Sequence, residues 1–284
     1  VADSQLAAFL TALHIKGETV PEIVGAAKVM RAKAEKLDIK STHLVDTCGT
    51  GGDGADTFNI STASALVSAG AGVIVAKHGN RAVSSRSGSA DVLKCLGVNL
   101  DANLIVVKRC VDEAGIGFLF APLMHKAMKH AAGVRKELGF RTVFNLLGPL
   151  TNPANAQAQV LGVFDVKWVQ PLAEVLRDLG CLHALVVHGS DGLDEITLTG
   201  ESQVAELKNG EVTSYSLDPK KFGFNYCDSD DLKGGTPEEN ATTIQKILDG
   251  EKGPRRDIVL INSAAAIYVA GKADSLERGI QLAT

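Results

Sequence analysis

The sequence has no excess of basic residues. Its 29 lysines and arginines stand against 33 aspartates and glutamates, which gives a formal net charge of −4. Proteins that bind nucleic acid through their general surface usually carry a basic excess or a basic stripe. The charge balance therefore argues against a general nucleic-acid binder, although a local basic pocket is still allowed.

Cysteine pairs at metal or redox spacing are also missing. None of the five cysteines forms a C-x-x-C pair, which argues against a zinc site and a redox dithiol. We expect these thiols to be reduced and to lie in the core or to line a site, as in a cytoplasmic protein. They are Cys48, Cys95, Cys110, Cys181 and Cys227.

No apolar run is long enough to span a membrane. The most apolar stretch, residues 258–270, contains Asn262, Ser263 and Tyr268. It is shorter than the ~20 residues that a bilayer requires, so we predict a buried helix there. No signal peptide is visible. Because a helical pattern begins almost at Val1, we expect that an N-terminal piece is absent.

The chain of 284 residues is long enough for one large domain or two. Residues 1–40 have helical spacing, and Thr19 and Glu22 form a capping-box signature at the second helix. Beyond them, continuous apolar runs alternate with helical patterns, which predicts a parallel sheet with right-handed crossovers. Residues 196–198, 203–207 and 211–217 are typical of an antiparallel meander.

The fold class is therefore α/β, with a small helical domain and a larger α/β domain whose central sheet is mostly parallel with an antiparallel portion. Residues 103–138 return to a helical pattern that is interrupted between residues 115 and 122. We assign residues 1–40 and 103–138 to a discontinuous helical domain. Residues 41–102 and 139–284 form the predicted α/β domain.

Two glycine-rich loops follow predicted strands and precede predicted helices. The first glycine loop, residues 46–53, reads DTCGTGGD, and the second glycine loop, residues 77–85, reads KHGNRAVSS. Glycines permit left-handed dihedrals and leave backbone N–H groups open to an anion. The first loop has neither the Rossmann nor the Walker spacing. Two such loops predict a ligand with two phosphate-bearing ends, although a purely structural turn is an open alternative for the first.

Polar donors surround both loops. Asn59, Ser61 and Thr62 stand at a predicted helix start, where they either cap the helix or bind phosphate with its free N–H groups. Lys77 adds a point charge suited to phosphate. Asp53 would repel a phosphate unless a metal or a ribose hydroxyl lies between them.

Two adjacent carboxylates follow a buried strand farther along the chain. Asp194 and Glu195 lie in a predicted strand-end loop, where hard oxygen ligands suit Mg²⁺ that shares substrate phosphates. Such residues are also common in solvated turns. Their place beside two predicted phosphate loops favours the metal site.

The order of these motifs resembles one enzyme family. The two glycine loops, the stretch RTVFNLLGPLTNP at residues 141–153 and the Asp194–Glu195 pair are similar to those of the anthranilate phosphoribosyltransferases. The similarity covers nearly the whole chain, and its motifs are long and occur in order. The family carries more helix at both termini, so the resemblance implies a trimmed chain.

This resemblance implies a reaction and its partners. The 5-phosphoribosyl group would pass from 5-phosphoribosyl diphosphate (PRPP) to the nitrogen of anthranilate, and diphosphate would leave with Mg²⁺ as cofactor. This is the second step of tryptophan synthesis from chorismate. The resemblance also implies a homodimer formed through the helical domain, and neither a nucleic-acid nor a membrane partner.

The family's site residues map onto matching positions of this chain. No residue is expected to be a covalent nucleophile, since an aromatic amine attacks directly. The metal ligands would be Ser61, Asp194 and Glu195. Anthranilate would meet Gly49, Asn80, His125, Arg135 and Pro149, with Arg135 pairing with its carboxylate. PRPP would contact Gly49, Gly52, Asp53, Thr57, Asn59, Ile60, Ser61, Thr62, Lys77, His78, Gly79, Asn80, Arg81, Ala82, Val83, Ser84, Ser85 and Ser89.

Within this site, we expect the diphosphate and the metal at the first glycine loop and the 5-phosphate nearer the second. Two alternative functions stay open from the residues. One is a pyrimidine nucleoside phosphorylase of related fold, and the other is a nucleic-acid-binding relative without transferase activity.

Overall fold

A computed structural model describes residues 1–41, 43–82 and 86–284. Its first half contains α1 (Asp3–Lys16), α2 (Val20–Lys33), β1 (Leu44–Gly49), α3 (Ile60–Gly70), β2 (Ile74–Gly79), α4 (Ser89–Cys95), α5 (Leu104–Ala114), β3 (Ile116–Phe120), α6 (Ala121–Met124), α7 (Lys129–Leu138) and α8 (Phe144–Leu147). Its second half contains β4 (Ala158–Gly162), α9 (Val169–Asp178), β5 (His183–Gly189), β6 (Ser202–Lys208), β7 (Glu211–Leu217), α10 (Pro237–Leu248), α11 (Pro254–Val269) and α12 (Leu276–Ala283).

Within these residues the strands form a 7-stranded sheet in the order β3-β2-β1-β4-β5-β6-β7. The first five strands in this order run parallel, and β6 and β7 are antiparallel. The predicted α/β class with a mostly parallel sheet and an antiparallel portion is therefore confirmed. Because strands joined by crossovers run in one direction, their carboxyl ends all lie at the same end of the sheet.

Buried apolar side chains cover both faces of the sheet. Along β5, Leu185 and Val187 pack into the cluster that contains α3, α10 and α11, whereas Ala184 and Val186 pack into the cluster that contains α9 and the N-terminal helices. This alternation is the period-2 pattern of a strand that is buried on both sides. It explains why the central strands read as unbroken apolar runs.

The N-terminal segment forms the two helices α1 and α2, as the sequence predicts. Glu22 accepts hydrogen bonds from the backbone and hydroxyl of Thr19, so the capping box at α2 is confirmed. α1 contacts α7, and α2 contacts α8 and α9. No helix in the described part of the chain has the length and apolar character to cross a membrane.

The interruption predicted within the helical pattern of residues 103–138 contains a strand that the sequence pattern does not predict. Residues 116–120 form β3, which pairs with β2 at the edge of the sheet. Gly117 weakens the strand pattern of this segment in the sequence. A side chain at this position would collide with Val111 and Val107 on α5. The glycine lets α5 pack closely on β3. The division of the remaining residues into two domains stays a prediction.

Two smaller expectations also differ from the structure. Residues 196–198 are not a strand, although Ile196 and Leu198 are buried in the core, which explains their apolar character. All five cysteines are free, as expected, but Cys95 and Cys110 are exposed rather than buried.

Candidate active site

The carboxyl end of the sheet is lined with glycines. β1, β2, β4 and β5 end at Gly49, Gly79, Gly162 and Gly189. A side chain at Gly49 would occupy the space of the Asp194 carboxylate, and one at Gly162 would occupy the space of the Asp194 backbone. These glycines therefore let the loop after β5 cross the ends of β1 and β4.

The acidic pair meets the first glycine loop at this point. The Asp194 carboxylate accepts a hydrogen bond from the Gly51 N–H at 2.8 Å, and the Asp53 carboxylate accepts one from the Asp194 N–H at 3.4 Å. Burial, with the nearby charge of Asp53, raises the pKa of Asp194 to about 7. Burial and the neighbouring Asp194 raise the pKa of Glu195 to about 8, against the opposing effect of Lys77.

The donor chemistry of this cluster fits Mg²⁺. Its carboxylates are hard oxygen ligands, and their raised pKa values show that their negative charges lack sufficient compensation. Ser61 lies near Glu195, since its backbone opposes the rise in the pKa of that carboxyl. Residues 1–41, 43–82 and 86–284 contain no group of three or more His, Cys, Asp or Glu side chains arranged around a metal. A cation here would therefore rely on other oxygen ligands as well, such as water and substrate phosphate.

Lys77 is the first residue of the second glycine loop, but its side chain contacts the first glycine loop and the start of α3. Its buried side chain donates hydrogen bonds to the Thr47 carbonyl and to the Ser61 hydroxyl, the latter at 3.3 Å. Burial lowers the pKa of Lys77, while Asp46 and the acidic pair favour its charged form. The ammonium group therefore lies beneath the start of α3.

Asp46 forms a buried polar network that the sequence analysis did not single out as part of the site. It accepts hydrogen bonds from the His78 N–H at 3.0 Å and from the Asn152 amide at 2.7 Å. Burial raises the pKa of Asp46, and Lys77 opposes the rise. A charged residue inside a buried strand was the available signal. The network joins the ends of β1 and β2, where the two glycine loops begin, to the segment before β4.

Asp191 organises the loop that carries the acidic pair. Its carboxylate accepts hydrogen bonds from the Thr197 hydroxyl at 2.7 Å, the Thr199 hydroxyl at 2.6 Å and the Leu193 N–H at 3.1 Å. The loop thus folds back on both sides of Asp194. This role was also missed, because an aspartate in a polar loop gives no local signal of its partners.

The structure does not support the alternative in which the Asn59 side chain caps α3. Asn59 precedes α3, but its side chain makes no capping hydrogen bond. Its amide donates to the Ser87 carbonyl at 3.0 Å, and its Oδ1 accepts from the Ser87 hydroxyl at 3.1 Å and the Asn240 amide at 3.0 Å. The Thr62 hydroxyl is buried and has no hydrogen-bond partner in the described ranges. Thr57 forms an isolated bridge with Lys233.

The second glycine loop is held by α4. The Asp91 carboxylate accepts hydrogen bonds from the Ala82 N–H at 2.9 Å, the Gly88 N–H at 3.0 Å and the Arg81 guanidinium at 3.2 Å. The Ser89 hydroxyl donates to the Asn80 carbonyl at 3.3 Å. The predicted site residues Val83, Ser84 and Ser85 lie outside the described residues.

Two histidines join the second loop to the helical region. His78 Nε2 lies 3.2 Å from His125 Nε2. Burial and the proximity of His125 lower the pKa of His78 to about 3, and burial lowers that of His125. Both rings are therefore neutral near pH 7, with one donating to the other.

Two of the other predicted acceptor residues, Arg135 and Pro149, are held by contacts of their own. Arg135 stacks over the Phe144 ring at 5.3 Å from its centroid, and burial lowers the pKa of its guanidinium. The Pro149 carbonyl accepts a hydrogen bond from Gln159 at 2.8 Å. An apolar groove of about 140 Å³ reaches His125 and is lined by Val29, Met30, Lys33, His125, Ala127, Met128, Ala131 and Phe144.

Comparisons with known proteins agree with this architecture. Residues 41–284 match the family described as "Glycosyl transferase family, a/b domain", and residues 1–34 match its "helical bundle domain". Anthranilate phosphoribosyltransferase from Acetivibrio thermocellus is 58% identical over 99% of this chain and 81% of that protein. The enzyme of the same name from Alkaliphilus metalliredigens is 56% identical over 100% of this chain and 84% of that protein.

Solved structures show the same relation. Anthranilate phosphoribosyltransferase from Thermus thermophilus is 50% identical, has a TM-score of 0.95, and is matched over 100% of this chain and 84% of that one. The Saccharomyces cerevisiae enzyme in complex with PRPP and Mg is 30% identical with a TM-score of 0.89, over 99% of this chain and 80% of that one. The chain therefore belongs to the anthranilate phosphoribosyltransferase family.

Proposed function

We propose that this chain transfers the 5-phosphoribosyl group of PRPP to the amino nitrogen of anthranilate, as a magnesium-dependent step of tryptophan biosynthesis. The observation that carries the proposal is the contact of Asp194 with the first glycine loop at the carboxyl end of the sheet. In the reaction the nitrogen bonds to C1 of the ribose as the C1–O bond breaks. Diphosphate leaves with the electron pair, and the nitrogen loses one proton.

In this proposal Asp194 and Glu195 would hold Mg²⁺, together with the neighbouring Ser61. When bound, the ion would supply positive charge for the diphosphate. Lys77 adds a fixed charge beneath the same point, where it already contacts the Ser61 hydroxyl. Charges that are in place before the reaction stabilise the leaving group without reorganisation.

The transfer proceeds without a covalent enzyme intermediate. Cys48 is the thiol in the first glycine loop, but burial and the nearby Asp46 raise its pKa well above the ordinary value. It therefore stays protonated, and a protonated thiol is a poor nucleophile. The chain's contribution is to position two substrates and neutralise the leaving group.

The acceptor lies on the side of His125 and Arg135. The neutral histidine pair adds no charge to repel or attract substrate, so the Arg135 guanidinium is left to pair with the anthranilate carboxylate. The apolar groove that His125 helps to line suits an aromatic ring.

Replacing Arg135 with Ala should raise the KM for anthranilate selectively. Loss of a hydrogen bond to a charged group costs about 1.5–3 kcal/mol, which corresponds to a rise of roughly 10- to 150-fold. The KM for PRPP should change little. Steady-state kinetics with each substrate varied in turn measures both constants, and an unchanged anthranilate constant would remove Arg135 from the site.

The chain also forms a homodimer through its N-terminal helices in this proposal. Phe9 and Ile15 on α1 and Val29 on α2 are 61%, 77% and 62% exposed, so these helices offer apolar side chains that a second copy could cover. Light scattering of the purified chain tests the dimer, and a monomeric mass at micromolar concentration would contradict it.

The free thiols fit a reducing, cytoplasmic compartment.

Incubation with anthranilate, PRPP and Mg²⁺ tests the function itself. We expect anthranilate and PRPP to disappear in equal amounts while diphosphate forms, with no turnover when Mg²⁺ is chelated. Phosphorolysis of a pyrimidine nucleoside in place of this reaction would favour the phosphorylase alternative. Salt-sensitive DNA binding without turnover would favour the nucleic-acid-binding alternative.

A further inference from the structure

Every residue of the first glycine loop from Thr50 to Asp53 is held by hydrogen bonds to distant parts of the chain. The Thr50 N–H donates to the Gly162 carbonyl at 2.9 Å, and the Thr50 hydroxyl accepts from the Phe164 N–H at 3.0 Å. Gly51 and Asp53 are joined to Asp194. The remaining residue, Gly52, is held from another part of the molecule.

The Gly52 carbonyl accepts a hydrogen bond from the Arg141 guanidinium. Arg141 lies in the link between α7 and α8, so this contact comes from the same helical region as Arg135. The guanidinium also stacks on the Phe164 ring, with 4.0 Å between its Cζ and the ring centroid. A planar cation is suited to stacking and donating at the same time.

The backbone conformation of Gly52 explains why a hydrogen bond from a residue outside the loop is needed to fix it. Gly51 and Gly52 have φ values of +67° and +75°, a conformation that glycine adopts readily but does not enforce. The loop has few side chains of its own to fix this conformation. The Arg141 hydrogen bond and the Phe164 ring supply a constraint on the solvent side of the loop.

We propose that Arg141 is a positioning residue for the phosphoribosyl donor. It fixes the carbonyl of Gly52, and so orients the Gly51 N–H and the Asp53 carboxylate toward Asp194. It also links the region that carries Arg135 to the loop that meets the metal-holding pair. This inference rests on the proposed function, because it assigns Arg141 a role toward PRPP.

Arg141→Ala should raise the KM for PRPP by about 10- to 100-fold, the size expected when a group that orients a substrate is displaced. The KM for anthranilate should change less. Because Arg141 is exposed, the unfolding temperature should stay within about 2 °C of the wild type. Arg141→Lys keeps one donor for the carbonyl but loses the planar stacking, so we expect an intermediate KM.

The Phe164→Leu variant tests whether the ring acts through Arg141. Its effect on the KM for PRPP should be smaller in the Arg141→Ala background than in the wild type, since the ring then has no guanidinium to hold. The matched control is Arg177→Ala, which removes an exposed arginine on α9 that pairs with its neighbour Asp178. This control should leave both constants unchanged.

Wild-type turnover separates the two levels of the proposal. Absence of turnover by the wild type would refute the proposed function. Normal wild-type turnover with an unchanged KM for PRPP in Arg141→Ala would overturn the positioning role alone. An equal loss for both substrates together with a large drop in unfolding temperature would also overturn it, because that pattern indicates a purely structural contact. Calorimetry of Mg²⁺-PRPP binding should reproduce the loss of affinity without catalysis.

Discussion

The double variant Asp194→Asn, Glu195→Gln should lose turnover while its metal-free form becomes more stable at pH 8. The amides keep the shape of the loop but bind a divalent cation weakly. We expect kcat/KM to fall by at least about 10²–10³-fold, the effect of removing one preorganised charge-stabilising group.

The gain in stability follows from the direction of the pKa shifts. The pKa of Asp194 rises from 3.8 to about 7 on folding, and that of Glu195 from 4.5 to about 8. At a pH between the unfolded and the folded pKa values, the folded protein holds protons that the unfolded chain has released. The free energy of unfolding therefore falls as the pH rises through about 4 to 8. Neutral amides remove this dependence.

Thermal unfolding of the metal-free proteins at pH 5 and pH 8 measures the effect. The variant should unfold at a higher temperature than the wild type at pH 8, by about 2–4 °C for each kcal/mol that burial and mutual repulsion of the two charges cost, and the difference should shrink at pH 5. Glu211→Gln, an exposed carboxyl on β7, is the control. A variant less stable than the wild type at pH 8 would contradict the assignment.

Replacing Lys77 with Met should weaken both the fold and donor binding. The substitution leaves Asp46 buried without its neighbouring cation and leaves the Thr47 carbonyl without its donor. Breaking a buried pair on one side costs about 3–5 kcal/mol, so we expect the unfolding temperature to fall by about 10 °C. The KM for PRPP should rise as well, because the charge beneath Ser61 is lost.

A second substitution separates these two effects. Asp46→Asn in the Lys77→Met background removes the unpaired buried charge, so stability should recover in part while the KM for PRPP stays high. Lys28→Met, on the exposed face of α2, is the control for loss of a lysine. If the double variant recovered PRPP binding together with stability, Lys77 would have only a structural role.

The parallel sheet could be predicted because its central strands are buried on both faces and read as apolar runs. β3 could not, since Gly117 serves the close packing of α5 and resembles a break in a helix. The strand predicted at residues 196–198 is wrong for the opposite reason. These residues are apolar because the loop is anchored in the core, and not because they pair with a strand.

The meeting of the first glycine loop with the acidic pair could be predicted from topology, because carboxyl ends of parallel strands converge. The Asp46–Asn152 hydrogen bond and the Arg141–Gly52 contact join residues distant in sequence, so neither leaves a local pattern. Asn59 also leaves no local pattern of its role, because its side chain bonds to the distant Ser87 and Asn240 and does not cap α3.

The proton balance of Mg²⁺-PRPP binding tests the metal-holding pair most directly. At pH 7, a carboxyl with a pKa of about 7 is half protonated and one with a pKa of about 8 is mostly protonated in the metal-free protein, and these protons are lost when a cation binds. Titration calorimetry with preformed Mg²⁺-PRPP in buffers of different ionisation enthalpy counts these protons. We predict net proton release that diminishes as the pH is raised to 9. Binding to the wild-type protein at pH 7 without proton release would contradict the assignment of Asp194 and Glu195.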